Sequence, residues 1–341
     1  MYKGFQIVCA TPAGRRRYMK LLAPYLLSSE LVDRWDIWVN TVDEGDINFF
    51  EELGKKFEKV NLVRNPEGQV NGNASINWFY RTAIERNTIY VKFDDDIVWV
   101  EDGFFETLLD YRIENRAHLL VFPAIVNNAI CTHLFQQKKK LNFPEYLSAI
   151  YSDSLAWACP EFATELHQWF LKHVESGSVD VLKFEPVLIA LNRFSINCMS
   201  WIGEDFSEFG GIVLDDDEEY LTVIKPSELR KINSICGGTL VSHFAFYPQR
   251  KLLDRGDLLY AYESLVQNSE NKTIAGIYET VNSILAKEPP RKNAFAAVAA
   301  KKCKELSRYV KLPWLEWVSA GEFYRRFKLM FKKKKPKHIV R

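Results

Sequence analysis

Tyr90-Val91-Lys92-Phe93-Asp94-Asp95-Asp96-Ile97-Val98 sets three consecutive carboxylates between two apolar runs. A strand over 88–93 that ends on such a cluster points to an open α/β sheet, whose ligands bind beyond the carboxyl ends of the strands. Adjacent carboxylates at that edge suit a hard divalent cation, Mg2+ or Mn2+, bridging to phosphate oxygens. Alternation along the chain places Asp94 and Asp96 on one side and Asp95 on the other. A solvated acidic turn, or a cluster capping a helix, would use the same residues.

On the N-terminal side, residues 5–11 (FQIVCAT) form a short apolar run stopped by Pro12-Ala13-Gly14, and Met19, Leu21, Leu22 and Leu26 follow at helical spacing. The pattern recurs as strand 35–41 and helix 47–57, then strand 60–63 and helix 76–86, then the strand leading into the aspartates. Strands alternating with helices predict right-handed crossovers and a largely parallel sheet. Beyond the aspartates the spacing predicts a helix over 103–115 and a buried strand over 119–123. A less regular stretch, 131–184, with one helix at 160–175, reads as an insertion shaping a substrate site. A strand through Trp201, a Gly-Gly turn at 210–211, an acidic helix start at 215–219 and a strand at 239–247 complete the body. The fold class is α/β, a mostly parallel, Rossmann-like central sheet flanked by helices, over residues 1–286. A Pro-Pro linker then leads into a helical C-terminal appendage, 287–341.

The 341 residues are 47% hydrophobic and 26% charged, which places the chain among globular proteins. Net charge is +1, but residues 323–341 carry nine Lys/Arg and no acid, so the remainder is acidic. That excludes a globally basic footprint for nucleic acid. Six cysteines lie scattered without a CxxC pair, against a zinc site or a disulfide framework. With no leader-like N-terminus and no long apolar run, the expected location is cytoplasmic.

Two further features carry candidate chemistry. Phe209-Gly210-Gly211 permits a tight turn ahead of Asp215-Asp216-Asp217-Glu218-Glu219 at a helix start, a place where acids also simply complement the dipole. Gly237-Gly238-Thr239-Leu240-Val241-Ser242-His243 sets one histidine in an aromatic and apolar stretch, where a hydrogen-bonded core histidine is the commoner outcome. In this order, the three features resemble the GT-A fold glycosyltransferases over roughly residues 5–247. In that family a D-x-D motif holds metal and nucleotide diphosphate, a glycine-rich loop leads to an acidic motif, and a C-terminal histidine often completes the metal shell.

The resemblance implies Mn2+ or Mg2+ on Asp94, Asp96 and His243, and a UDP- or GDP-sugar donor. It implies a general base at Asp217, with Asp216 and Glu218 as neighbouring registers because the acidic motif is longer than the family's. A base at Asp217 implies inversion. Loops at the carboxyl edge nominate Thr11, Arg15, Asn40 and Asp43 for the nucleotide pocket, and Asn71, Asn73, Arg81, Asp94 and Asp95 for diphosphate or sugar. Trp201, Trp157 and Tyr151 are candidates for stacking on an acceptor sugar, although large aromatics are more often core. The appendage interleaves aromatics with lysines, which suits the inner, anionic surface of a membrane and a glycan or lipid-linked glycan acceptor. Two rival readings use the same fold: a nucleotidyltransferase that makes a nucleotide sugar, for which the 11–17 loop is only a partial match, and a non-catalytic carbohydrate-binding protein.

Overall fold

The computed structural model describes residues 1–286, apart from 69 and 71. The appendage 287–341 and Asn71 therefore lie outside the described residues. Nine strands form one sheet: β1 (Gln6–Ala13), β2 (Arg34–Val39), β3 (Val60–Arg64), β4 (Thr88–Phe93), β5 (Ile97–Val100), β6 (His118–Val126), β7 (Val187–Ile189), β8 (Cys198–Ile202) and β9 (Ile232–His243). Their order is β3-β2-β1-β4-β8-β6-β9-β5, with β7 also on β9.

The pairings β2 with β3, β1 with β2 and β1 with β4 are parallel. β8 is antiparallel to both β4 and β6, which returns β6 to the direction of β4, and β9 runs parallel to β6. Six strands thus share one direction, and β5, β7 and β8 oppose them. The sheet is mostly parallel, as the alternation of strands and helices predicts. One consequence decides the rest: β1, β2, β4, β6 and β9 all deliver their carboxyl ends to the same edge.

The sequence builds these elements for local reasons. β1 and β4 are buried on both faces, as expected of central parallel strands with helices on either side. The helix Glu44–Lys56 starts at Asp43, whose side chain accepts from the Asp46 N–H, and carries acids in its first turn and lysines in its last. Trp201 stacks between Tyr90 at 5.4 Å and Phe206 at 4.7 Å and is fully buried. It is a core residue, so the expectation that it meets an acceptor sugar is corrected. No helix among the described residues is long and apolar enough to cross a membrane.

Three element boundaries differ from expectation. The helix expected over 76–86 is Asn73–Phe79 followed by a 3-10 turn at Tyr80–Thr82. The apolar residues after the aspartates form β5, which turns back through an Ile97 N–H to Asp94 carbonyl bond of 3.1 Å. The last strand is displaced, beginning at Ile232 and ending at His243, because Pro248 starts the helix Tyr247–Leu253.

Candidate active site

Asp94, Asp95 and Asp96 lie in the turn between β4 and β5, outside either strand, so strand alternation does not sort them. Asp95 and Asp96 are buried together and share one cation. Arg15, from the loop after β1, donates from Nε to Asp95 Oδ1 at 2.8 Å and places Nη1 2.8 Å from Asp96 Oδ2. The Gly14 N–H donates to Asp95 Oδ2 at 2.9 Å. Asp94 turns the other way. Its carboxylate pairs with Lys92, a lysine buried in β4, and takes a long bond of 3.4 Å from Asn197 Nδ2. Lys92 also donates to the Ile196 carbonyl at 2.9 Å.

His243 arrives from the end of β9. Its Nδ1 lies 3.2 Å from the Asn127 carbonyl, an acceptor, so this bond puts a proton on Nδ1. Nε2 faces Asp96 Oδ1 at 3.4 Å. Asn127 stands at the end of β6 with φ of 60°, in the left-handed region. Its buried amide donates to the Phe244 carbonyl and to Gln249 Oε1, both at 3.0 Å, and this anchors the carbonyl that orients His243. Burial pushes the Asp96 carboxyl up, but Arg15, His243 and Arg250 outweigh it and hold it well below the usual carboxylate range.

These two buried groups fit a divalent cation. Two donors about 2.1 Å from one ion and about 90–110° apart lie about 3.0–3.4 Å from each other, the spacing seen here. The arginines occupy Asp96 Oδ2, whereas Oδ1 is the oxygen that faces the imidazole. A neutral imidazole fixed through its other nitrogen is the usual arrangement of a metal-binding histidine. Among the described residues no group of three or more His, Cys, Asp or Glu side chains is placed to share an ion. Asp94, expected as a third ligand, is instead turned onto Lys92.

The acidic loop closes the opposite side. Gly211, at φ of 61°, lies so close to the Tyr80–Arg81 backbone that a Cβ would meet the Tyr80 carbonyl at 2.4 Å. That contact seats the loop, and the Tyr80 hydroxyl then donates to Asp217 Oδ2 at 3.2 Å. Burial raises the Asp217 carboxyl, while the Lys92 charge lowers it and Asp94 adds to the rise. Burial and the Asp217 charge push Glu218 up to about 7, against Arg193. Asp216 is occupied differently, with Oδ1 capping the helix start through the Glu219 N–H and Oδ2 paired with Arg193 at 2.8 Å. Both of its oxygens are engaged, so the expectation of Asp216 as a base is corrected.

One cleft of about 770 Å³ collects Arg15, Asn73, Lys92, the three aspartates, residues 215–218, His243 and Arg250. Seven lining carboxylates face four lining cations. Other expected pocket residues stand elsewhere. Thr11 is fully buried, accepting from Trp35 Nε1 at 3.0 Å, because it points into the sheet packing. Asn40 is held by Ser75 and the Gly72 carbonyl, and Asp43 caps a helix and pairs with Arg16. Arg81 is exposed on the 3-10 turn, with no place in the cleft lining. Among the cleft residues that the sequence pattern does not nominate are Lys92, Arg193, Asn197 and Arg250. Of these only Lys92 carries a signal, a lysine inside an otherwise apolar central strand.

Neither a family model nor a curated protein matches the sequence. Solved structures that resemble it include GalNAc-T7 with UDP, GalNAc and Mn2+, at 12% identity and a TM-score of 0.45, covering 90% of this chain and 55% of that one. S. aureus TarS 1-349 matches at 8% identity and a TM-score of 0.40, over 83% of this chain and 71% of that one. A CMP:2-keto-3-deoxy-manno-octonic acid synthetase complexed with CTP matches at 10% identity and a TM-score of 0.42, over 76% and 99% respectively. Likenesses of this strength assign no substrate and no residue role.

Proposed function

We propose that the protein is a glycosyltransferase that moves a sugar from a nucleoside-diphosphate donor to an acceptor hydroxyl. The observation that carries this reading is the meeting, across one cleft, of the Asp96–His243 pair with the Asp217–Glu218 carboxylates. A site that must hold an anionic diphosphate yet has more carboxylates than cations calls for an added positive charge. Mn2+ or Mg2+ on Asp96 and His243 would supply it, as a Lewis acid for the departing diphosphate.

The chain's own groups divide the remaining work. Lys92 holds Asp94 at the cleft floor and stands near enough to Asp217 to oppose the upward shift of its carboxyl. Asp217 and Glu218, both raised by burial, are suited to take a proton from an acceptor hydroxyl, a contribution of about 10²–10⁴-fold in rate. Asp217 is the base we assign, since its Tyr80 bond fixes one oxygen and leaves the other for the acceptor. The wall opposite that base would exclude water from the reacting carbon.

A nucleotidyltransferase would need the loop after β1 for a triphosphate. Here the Gly14 N–H and the Arg15 guanidinium are bound to Asp95 and Asp96, which favours the glycosyltransferase reading. Incubation with UDP- and GDP-sugars and Mn2+, followed by chromatography of the products, tests it. Free nucleoside diphosphate is the expected product. Pyrophosphate from a nucleoside triphosphate and a sugar phosphate would replace the proposal with the nucleotidyltransferase.

A further inference from the structure

The cleft has a second wall that the donor chemistry does not use. Tyr151 and Trp157, from the irregular stretch between β6 and β7, line it half-buried, and Phe246 and Tyr247 continue it just after His243. Trp157 lies 6.4 Å from Phe246, and Phe246 lies 4.7 Å from the His243 ring. Tyr247 is 83% exposed, and no ring among the described residues packs against it. Four aromatic rings on the lining of one cleft make an apolar patch of the kind that marks a ligand-binding surface.

What covers it is limited by the charge of the cleft. The Arg193 guanidinium stacks on the Tyr151 ring at 4.2 Å and is already paired with Asp216 and Glu218. Arg250 is paired with Asp96. No lining cation is left over for an anionic ligand, and the excess of carboxylates repels one. A pyranose meets both demands at once, with an apolar C–H face for the rings and hydroxyls that donate to carboxylates. Arg193 joins the two halves, since it touches Tyr151 on one side and Glu218 on the other.

We propose that Tyr151, Trp157, Phe246 and Tyr247 form the acceptor subsite, and that the acceptor is a neutral sugar, as opposed to a sialylated, uronic or phosphorylated one. This rests on the proposed glycosyl transfer for its name but not for its binding chemistry. The test uses the full chain on an immobilised array of neutral hexose and N-acetylhexosamine oligosaccharides beside sialylated and uronic-acid ones. UDP and GDP titrations with Mn2+ run in parallel.

The wild type is expected to retain neutral glycans and not acidic ones. Tyr247→Ala and Trp157→Ala should each lose about tenfold in glycan retention, while Tyr247→Phe and Trp157→Phe keep it. Nucleotide affinity and melting temperature should stay at wild-type values in Tyr247→Ala, which separates a lost ligand face from a lost fold. Retention of acidic glycans in preference to neutral ones would overturn the proposal. So would an alanine variant that weakens nucleotide binding in place of glycan binding, since the wall would then hold the base. A wild type that binds nucleotide but no glycan also overturns it. A wild type that binds neutral glycans through this wall but no nucleotide would sink the transferase reading and leave the subsite standing.

Discussion

The Asp96–His243 pair depends on Nε2 facing Asp96, and the Asn127 carbonyl, which takes the Nδ1–H, sets that orientation. A non-glycine residue at φ of 60° with a buried, doubly bonded amide is strained backbone held in place by its own side chain. Replacing Asn127 by alanine keeps the strain and removes the anchors. Urea unfolding should show a loss of about 2–3 kcal/mol, and Mn2+ affinity should fall. Asn127→Gly relieves the backbone and should regain part of the stability but not the metal affinity.

Glu218 gives a signed pH prediction. Its folded carboxyl, raised to about 7 by burial and Asp217, holds its proton more tightly than in the unfolded chain. The folded state therefore binds more protons between the unfolded value of about 4.5 and about 7, so stability falls as pH rises through that window. Thermal melts across it should flatten in Glu218→Gln. A wild-type stability that rises with pH over the same window, beyond the slope retained by the variant, would refute the assigned environment.

Among the elements, two glycines at positive φ set the register of the acidic loop and of β9. Gly237 kinks β9 where the register against β6 slips, and a Cβ there would meet the Phe184 carbonyl at 2.3 Å. Gly211 seats the acidic loop on the Tyr80 backbone. Gly211→Ala, if it folds, should lift Asp217 and cost about 10²-fold in kcat while leaving nucleotide affinity near wild type. Single-turnover kinetics beside nucleotide titration would check this split. Gly210-Gly211 is visible in the sequence as a turn signal, but which carbonyl either glycine presses on belongs to the packed chain. The same holds for β5 and for the end of β9. An apolar run has no period to show where it folds back, and Pro248 marks a boundary only once the preceding strand's register is known.

Across the whole chain, the order of strands and helices was legible because apolar runs of strand length alternate with helical spacing along the first half. That order, with the carboxyl-edge rule, is enough to bring Arg15 and Asp94–96 to one place, whereas His243 joins them only through the family resemblance. Alternation sorts Asp94 with Asp96, whereas the fold sets Asp95 and Asp96 together on Arg15 and turns Asp94 onto Lys92, through contacts that only folding creates. Nor could the order of elements reject Thr11, Asn40 and Asp43, which are polar loop-edge residues serving the core, a neighbouring loop and a helix cap. Arg193 and Arg250 were invisible for the same reason: their roles come from where the acidic loop and the helix after β9 are packed.

A metal-dependent nucleotide site on Asp96 and His243, at the carboxyl edge of the sheet, underlies every functional step proposed for this protein. Calorimetric titration of UDP and GDP into the wild type and Asp96→Ala, with Mn2+ and with chelator, tests it directly. The wild type should bind one nucleotide only with Mn2+, and the variant should bind neither. Binding that survives both the chelator and Asp96→Ala would refute the site, as would a wild type that binds neither nucleotide under any condition.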